Sequence, residues 1–104
     1  MALDQRAAQP LPARLELAPS YPNPFTHATT VVFGMPAAGP AKLMVFDIQG
    51  RAVRHLVDGV MGAGWQRVAW DGHDDAGNGV LPGAYVIRLS VDGRVISRSV
   101  RLVR

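Results

Sequence analysis

The chain contains no cysteine, only one glutamate and only one lysine among its 104 residues. The missing thiols exclude disulfide bonds, thiolate chemistry and zinc sites built on cysteine. Because glutamate and lysine are scarce and no long stretch has apolar residues at helical spacing, a helical domain is not expected. No apolar run approaches the roughly 18 residues that a membrane-spanning helix needs. The beginning, MALDQRAAQP, also lacks the features of a secretory signal. We predict no transmembrane segment, and an exported protein would carry its signal elsewhere.

Catalytic constellations are also missing. The three histidines, His27, His55 and His73, lie on separate segments. A pair of catalytic carboxylates would have to be two aspartates, and Asp71 with Asp75 on a flexible turn is a poor candidate. The sequence contains neither a Gly-x-Ser-x-Gly elbow nor a glycine-rich phosphate loop followed by Lys-Ser or Lys-Thr. We therefore predict a protein that is not an enzyme and that holds no cofactor.

The charge is weakly positive and dispersed. The net charge is +3, the pI is about 10.2, and ten of the eleven basic residues are arginine. Such a surface attracts anionic surfaces weakly. It lacks the dense basic block and interleaved aromatic residues of single-strand nucleic-acid binders. We predict no nucleic-acid partner.

What is present indicates a β-protein. Hydrophobic residues make up 48% of the chain, and 11 glycines and 8 prolines punctuate it into short segments. The length suits one domain. We predict a linker or disordered tail over residues 1–11 and the domain over residues 12–104.

Alternation of apolar residues predicts the first strands. Residues 14–18 form a short strand, and the prolines after them suit an edge position. Residues 28–36 alternate, which places four side chains on one face: Thr29, Val31, Phe33 and Met35. Gly39 and Pro40 predict a turn. Residues 41–48 and 52–59 are expected to form a hairpin around Gly50.

The second half of the chain continues the pattern. In GWQRVAW, Val68 and Trp70 are the expected core pair, and in GAYVIRLSV the inward residues are Tyr85, Ile87, Leu89 and Val91. Asp-Gly at residues 92–93 predicts a hairpin turn, and the last strand turns Val100 and Leu102 inward. The fold class is therefore all-β, an immunoglobulin-like antiparallel β-sandwich of about seven strands.

The acidic loop after Trp70, WDGHDDAGNG, has two interpretations. An EF-type calcium loop starting at Asp71 would require an acid or Asn where His73 stands and Gly where Ala76 stands. Another calcium loop remains an alternative, built on Asp71, Asp74, Asp75 and Asn78. We favour a plain turn without metal, because Asp and Asn side chains accept hydrogen bonds from nearby backbone N–H groups. Glycines such as Gly72 and Gly77 supply left-handed backbone.

Three motifs in this order carry a resemblance: YPNPF at residues 21–25, VFDIQGRAV at residues 45–53, and WDGHDDAGNGVLPGAYVIRL at residues 70–89. Over roughly residues 15–104 the chain resembles the C-terminal domains of proteins exported by the type IX (Por) secretion system. It equally resembles the immunoglobulin-like domain of flagellar hook-capping proteins, which shares the pattern WDG-x-D-x-x-G-x-x-V-x-x-G-x-Y. The motif residues with an expected structural role are Pro22, Asn23, Pro24, Phe25, Asp47, Gly50, Trp70, Asp71, Gly72, Asp75 and Gly77.

Each motif also has a physical role of its own. Phe25 can fill the end of the sandwich, and the prolines beside it stiffen the exit of the first strand. Asp47 is expected to cap backbone N–H groups of the turn at Gly50. Trp70 is expected in the core, where a buried aromatic ring contributes a few kcal/mol.

The type IX resemblance implies a sorting function. Such domains are non-catalytic addresses, covalently linked to an upstream cargo domain. The outer-membrane type IX translocon reads them. In many members a sortase-like peptidase then removes the domain and attaches the cargo to anionic lipopolysaccharide, and in other members the domain is retained. The protein would pass through the periplasm and be secreted or stay at the outer-membrane surface. The residues implied in recognition are Gly83, Tyr85, Ile87, Leu89, Arg98, Val100, Arg101 and Leu102. A lysine common near the end of such domains is missing here, and Arg98 or Arg101 keeps only its charge.

Two alternatives accompany the sorting function. As in hook-capping proteins, the domain would be a structural or assembly module that binds hook or filament subunits through an exposed sheet edge. Alternatively, it would be a carbohydrate-binding accessory domain of a secreted enzyme. That function needs a row of exposed aromatic residues, and Trp65 alone is expected to be exposed.

Overall fold

A computed structural model describes residues 10–104, which form seven β-strands. In chain order they are β1 (Glu16–Leu17), β2 (Thr29–Met35), β3 (Gly39–Asp47), β4 (Ala52–Met61), β5 (Gly64–Trp70), β6 (Gly83–Val91) and β7 (Arg94–Leu102). Neighbouring strands pair antiparallel throughout. The predicted all-β class and the predicted number of strands are confirmed.

The strands form two sheets that pack face to face. The smaller sheet has the order β1-β2-β5 and the larger sheet the order β4-β3-β6-β7. Because β1 contacts β7, these two edge strands lie on one flank of the sandwich. The other edge strands, β5 and β4, therefore lie together on the opposite flank. The smaller sheet has three strands and the larger sheet four, so the smaller sheet covers the inner face of β4 less completely than that of β3.

Alternation along the strands builds the core. The predicted face of β2 is fully enclosed, and the same holds for Ile87 and Leu89 of β6. In β3 the enclosed residues are Leu43 and Val45. Val68 packs against this core but remains half-buried, whereas Trp70 is completely buried. Of the predicted core pair on β5, only Trp70 is therefore enclosed.

The turns follow the predicted chemistry with one correction. Gly50, with φ of 83°, makes the turn between β3 and β4, and Asp92 and Gly93, with φ of 52° and 78°, make the hairpin between β6 and β7. The predicted turn at Gly39 and Pro40 is wrong, since both residues are the first residues of β3. A proline is tolerated there because the beginning of a strand does not need every ladder donor.

Two further predictions concern the N-terminal tail and membrane-spanning segments. Most of the predicted tail, residues 1–9, lies outside the described residues, while Leu11 is exposed and Pro12 is buried. Pro12 packs over the smaller sheet, where Gly34 leaves room for it: a Cβ on Gly34 would lie 2.7 Å from Pro12 Cγ. Within residues 10–104, no helix is long and apolar enough to cross a membrane.

Candidate functional site

The three sequence motifs meet at one end of the sandwich, which we call the motif end. Its centre is a stack of buried rings. Phe25 and Trp70 have ring centroids 5.4 Å apart, and Trp70 meets Tyr85 edge to face at 5.2 Å. Aromatic pairs at such distances add stability beyond their apolar burial. The PNPF segment and the long acidic motif therefore share one hydrophobic anchor.

The polar atoms of two of these rings hold the acidic loop. Trp70 Nε1–H donates to the carbonyl oxygen of His73 at 3.0 Å. The Tyr85 hydroxyl donates to the carbonyl oxygen of Leu81. Burial, followed by the negative charge of Asp47, raises the pKa of Tyr85 above its ordinary value, so this hydroxyl stays a donor. Both ends of the loop are thus fixed to the core.

Asp47 organises the turn of the second motif as predicted. Its Oδ1 accepts the backbone N–H groups of Gln49 at 2.9 Å and Arg51 at 3.0 Å, and its Oδ2 accepts Arg51 Nε–H at 2.9 Å. The Arg51 backbone hydrogen bond lowers the pKa of Asp47 below its ordinary value. The carboxylate is therefore a charged cap of the β3–β4 turn.

The acidic loop also satisfies its own backbone, as the turn interpretation predicts. Asp71 Oδ1 accepts the N–H of His73 at 3.1 Å, and Asp74 Oδ1 accepts the N–H groups of Ala76 and Asn78. Gly72 and Gly77 both have positive φ. Within residues 10–104, no three His, Asp or Glu side chains gather in an arrangement that could hold a metal ion. The carboxylates point to N–H donors, which is the geometry of a capped turn.

Asp75 fastens the loop to the edge of β4. Its Oδ1 accepts the backbone N–H of His55 at 2.9 Å, and its Oδ2 lies 2.6 Å from His55 Nδ1. The N–H of Asp75 in turn donates to the carbonyl oxygen of Val53 at 3.0 Å. Arg54 Nη1 adds a bond to the Asp74 carbonyl oxygen. The loop therefore occupies the first part of the β4 edge in the way that a partner strand would.

This clamp predicts an acid-sensitive contact. The His55 backbone hydrogen bond, then the His55 side chain, lowers the pKa of Asp75 below its ordinary value of 3.8. A carboxylate whose folded pKa is depressed contributes stability that is fully present above its ordinary pKa and is lost as pH falls through the folded pKa. We expect Asp75→Asn to lower the melting temperature slightly at neutral pH, and the difference from wild type to shrink in acid below the ordinary value. Melting curves recorded across that range measure it.

Asp58→Asn is the matched control, because Asp58 is an exposed carboxylate on β4, the strand that the loop contacts, and its side chain has no hydrogen-bond partner among the described residues. It should leave the melting temperature unchanged across the acid range. Equal profiles for the two variants would contradict the clamp.

The PNPF segment closes the edge of β7. Phe25 N–H donates to the Arg101 carbonyl oxygen, and Val103 N–H donates to the Phe25 carbonyl oxygen, both at 2.9 Å. Asn23 Oδ1 accepts the N–H of Arg101 at 3.0 Å, and Asn23 Nδ2 reaches the Ser99 carbonyl oxygen at 3.4 Å. The end of β7 is therefore already paired on both sides.

The residues implied in sorting fall into two groups. Most are core side chains of β6 and β7: Tyr85, Ile87, Leu89, Val100 and Leu102. Arg98 and Arg101 are exposed, although Arg98 Nε–H donates to the Leu17 carbonyl oxygen at 2.8 Å. Gly83, with φ of 152°, begins β6. Only the arginine side chains are thus accessible to a partner.

The expected exposure of the aromatic residues needs a correction. Trp65 is half-buried, because it packs over Gly34 beside Pro12, and Tyr21 is 49% exposed. The Tyr21 hydroxyl accepts a hydrogen bond from Arg67 Nη1 at 2.8 Å. Sequence alternation placed Trp65 correctly on the outer face but gave no sign of the segment that covers it.

The roles of Asn23 and Arg98 as bridges were not predicted from the sequence. Asn23 stands between two prolines, and both the Tyr21–Pro22 and the Asn23–Pro24 peptide bonds are cis. The available sign in the sequence was a polar residue between two prolines, because a side chain held in this way can keep a fixed hydrogen-bond partner. Nothing in the sequence indicated that this partner is β7.

Comparisons with known proteins point in one direction. The family model described as the FlgD Ig-like domain matches residues 23–94. The solved structure of FlgD from P. aeruginosa is similar, with 27% sequence identity and a TM-score of 0.53 over 72% of this chain and 59% of that chain. The chain thus spans less than two thirds of that protein. No curated protein matches the chain. Both matches agree with the flagellar resemblance, and neither supports the type IX assignment.

Proposed function

Because the chain belongs to the FlgD Ig-like domain family, we propose that it is a non-catalytic structural module that helps protein subunits assemble, as in flagellar hook capping. The family match over residues 23–94 is the observation that carries this proposal. The proposed partners are hook or filament subunits. The proposed location is the cell surface, after export of the protein of which the domain is part.

The motif end is consistent with a structural role. Its aromatic side chains Phe25, Trp70 and Tyr85 form part of the core. Asp47, Asp71 and Asp75 accept hydrogen bonds from turns and from β4. Residues used in this way stabilise a rigid shape, which a module needs if it is to present a binding surface to other subunits.

Binding to hook subunits tests the proposal. We expect the folded chain to bind purified hook protein from its source organism saturably, in sedimentation or biolayer measurements. Arg101→Ala should bind equally well, because this exposed side chain lies on the flank that the PNPF segment closes. A folded chain that shows no binding to hook protein at any accessible concentration would contradict the proposal.

The sorting function remains a separate proposal that rests on the sequence resemblance. It expects a reporter fused to residues 15–104 to be exported by a host that has the type IX machinery. Here Arg101→Ala is the informative variant, because it removes an implied recognition side chain and leaves the core intact. Export of the reporter by the wild-type domain, lost in this variant, would favour sorting over assembly.

A further inference from the structure

The two flanks of the sandwich differ in how their strand edges are covered. On the β1–β7 flank, the PNPF segment pairs with the end of β7, and Arg98 bridges to the Leu17 carbonyl oxygen. On the β4–β5 flank, the acidic loop covers β4 only as far as His55. We call this second side the open flank and define it by residues 57–69. Uncovered strand edges present rows of unpaired N–H and C=O groups that another chain can pair with.

The register shows which backbone groups of β5 point outward. Ala18 N–H donates to the Val32 carbonyl oxygen, so the backbone groups of Val32 face β1 and not β5. Arg67 lies opposite Val32 in the β2–β5 register. Because the direction of backbone groups alternates along a strand, those of Trp65, Arg67 and Ala69 point away from β2. Among residues 10–104, no backbone segment pairs with them.

A half-covered apolar surface lies next to this free edge. Val57 of β4 lies opposite the buried Leu43 of β3, and Met61 lies opposite Gly39 on the same inner face. Both side chains nevertheless remain half-buried. Between them, a Cβ on Gly59 would meet no atom within 4 Å. The cause is the strand count: four strands in the larger sheet face three in the smaller, so the inner side of β4 extends past β5. One added strand beside β5 would cover it.

We propose that an extended segment of a partner subunit adds to β5 as a fourth strand of the smaller sheet. Its alternate apolar side chains would pack on Val57 and Met61 and over Gly59, while its backbone pairs with Trp65, Arg67 and Ala69. Arg67 is the only charged residue of β5, so an acidic residue opposite it is the complementary choice. This inference rests on the proposed function and specifies the surface that would carry it.

A synthetic peptide tests the surface without the natural partner. The probe is a ten-residue peptide that alternates valine with threonine and has one central glutamate on the threonine face, a design of about the usual strand length. We expect it to shift and protect the backbone amides of Trp65, Arg67 and Ala69 in nuclear magnetic resonance spectra. No binding, or protection at β7 instead, would overturn the inference.

Two variants remove the features that the added strand needs. Ala69→Pro deletes one outward N–H of β5, a donor that the fold itself does not use. Gly59→Glu places a charge on the surface to be covered, where the free chain has space for it. We expect each variant to weaken peptide binding at least about tenfold, the effect of losing roughly 1.4 kcal/mol, with melting temperatures close to wild type.

Ser97→Pro is the matched control. Ser97 is exposed on β7 and lies opposite Arg88. Because the backbone groups of Arg101 point outward to the PNPF segment, alternation along β7 places those of Ser97 on the same outer side. Removing its N–H should not change peptide binding. Equal weakening by Ser97→Pro and Ala69→Pro would show that proline acts through the fold, and would overturn the assignment to β5.

The same variants in the hook-protein measurement separate the two proposals. If hook protein binds wild type and Ser97→Pro but not Ala69→Pro or Gly59→Glu, both proposals are supported. Equal binding of hook protein by all four proteins would overturn the β5 surface and leave the assembly function standing. If the peptide binds β5 but hook protein does not bind, the assembly function fails. A wild-type dimer that Ala69→Pro converts to monomer would identify a second copy of the chain as the occupant and overturn the partner segment.

Discussion

Replacing Trp70 with alanine is expected to destabilise the domain by about 3–5 kcal/mol, the usual cost of truncating a fully enclosed large aromatic side chain. Trp70 has 0% exposure and contacts both Phe25 and Tyr85. The substitution would leave a cavity between these rings and would also remove the donor to the His73 carbonyl oxygen. Equilibrium urea unfolding measures the loss as a lower midpoint with little change in slope.

Trp65→Ala is the matched control, because it removes the same side chain from the outer face of the same strand. Trp65 is half-buried, so we expect less than half the loss seen for Trp70. Trp70→Phe should fall between the two, since it keeps a ring in the core but leaves the His73 carbonyl oxygen without its donor. A loss below about 1 kcal/mol for Trp70→Ala would contradict the buried position.

Deleting residues 100–104 is expected to abolish cooperative folding. The deletion removes Val100 and Leu102, which are 2% and 1% exposed, and it removes their pairing with β6. It also removes the partners of the Phe25 backbone groups. Losing two buried aliphatic side chains costs about 2–5 kcal/mol each, which is comparable with the whole stability of a small domain. Circular dichroism melting and amide proton dispersion would show the loss of fold.

Deleting residues 103–104 is the control, because Val103 is 39% exposed and the core residues remain. We expect this shorter deletion to fold with only a modest loss of stability. A cooperative melting transition in the chain that ends at residue 99 would contradict the prediction. Loss of export or of binding after the longer deletion would therefore report unfolding, and only surface variants such as Arg101→Ala can test recognition.

The sequence predicted those parts of the fold that are written in local patterns. Alternation placed the buried residues of β2 and β6 correctly, because side chains of a strand point to its two faces in turn. Asp92 and Gly93 predicted their hairpin, because few residues adopt left-handed backbone readily. Alternation does not show which distant segment covers the outer face of a strand. Trp65 was therefore predicted to be exposed, although Pro12 packs beside it.

The sequence predicted which residues form the candidate site, but it predicted only some of the contacts that these residues make. The caps made by Asp47, Asp71 and Asp74 join residues two to four positions apart, so turn chemistry alone predicts them. Asp75, by contrast, belongs to the same acidic loop but binds His55, 20 residues away. The sequence identifies Asp75 as a carboxylate that needs donors and does not say where those donors are.

By itself the sequence determined the number of strands, most of their inward faces, the turns at Gly50 and at Asp92 and Gly93, and the acidic caps, since each depends on residues close together in the chain. Only the tertiary structure decided which strand edges are covered. Asn23 reaches Arg101 across 78 residues, and the acidic loop lies against β4 rather than β5. Every residue except proline carries the same backbone N–H and C=O groups, so no sequence pattern marks which of them a distant segment will pair with and which, as on β5, it will leave free.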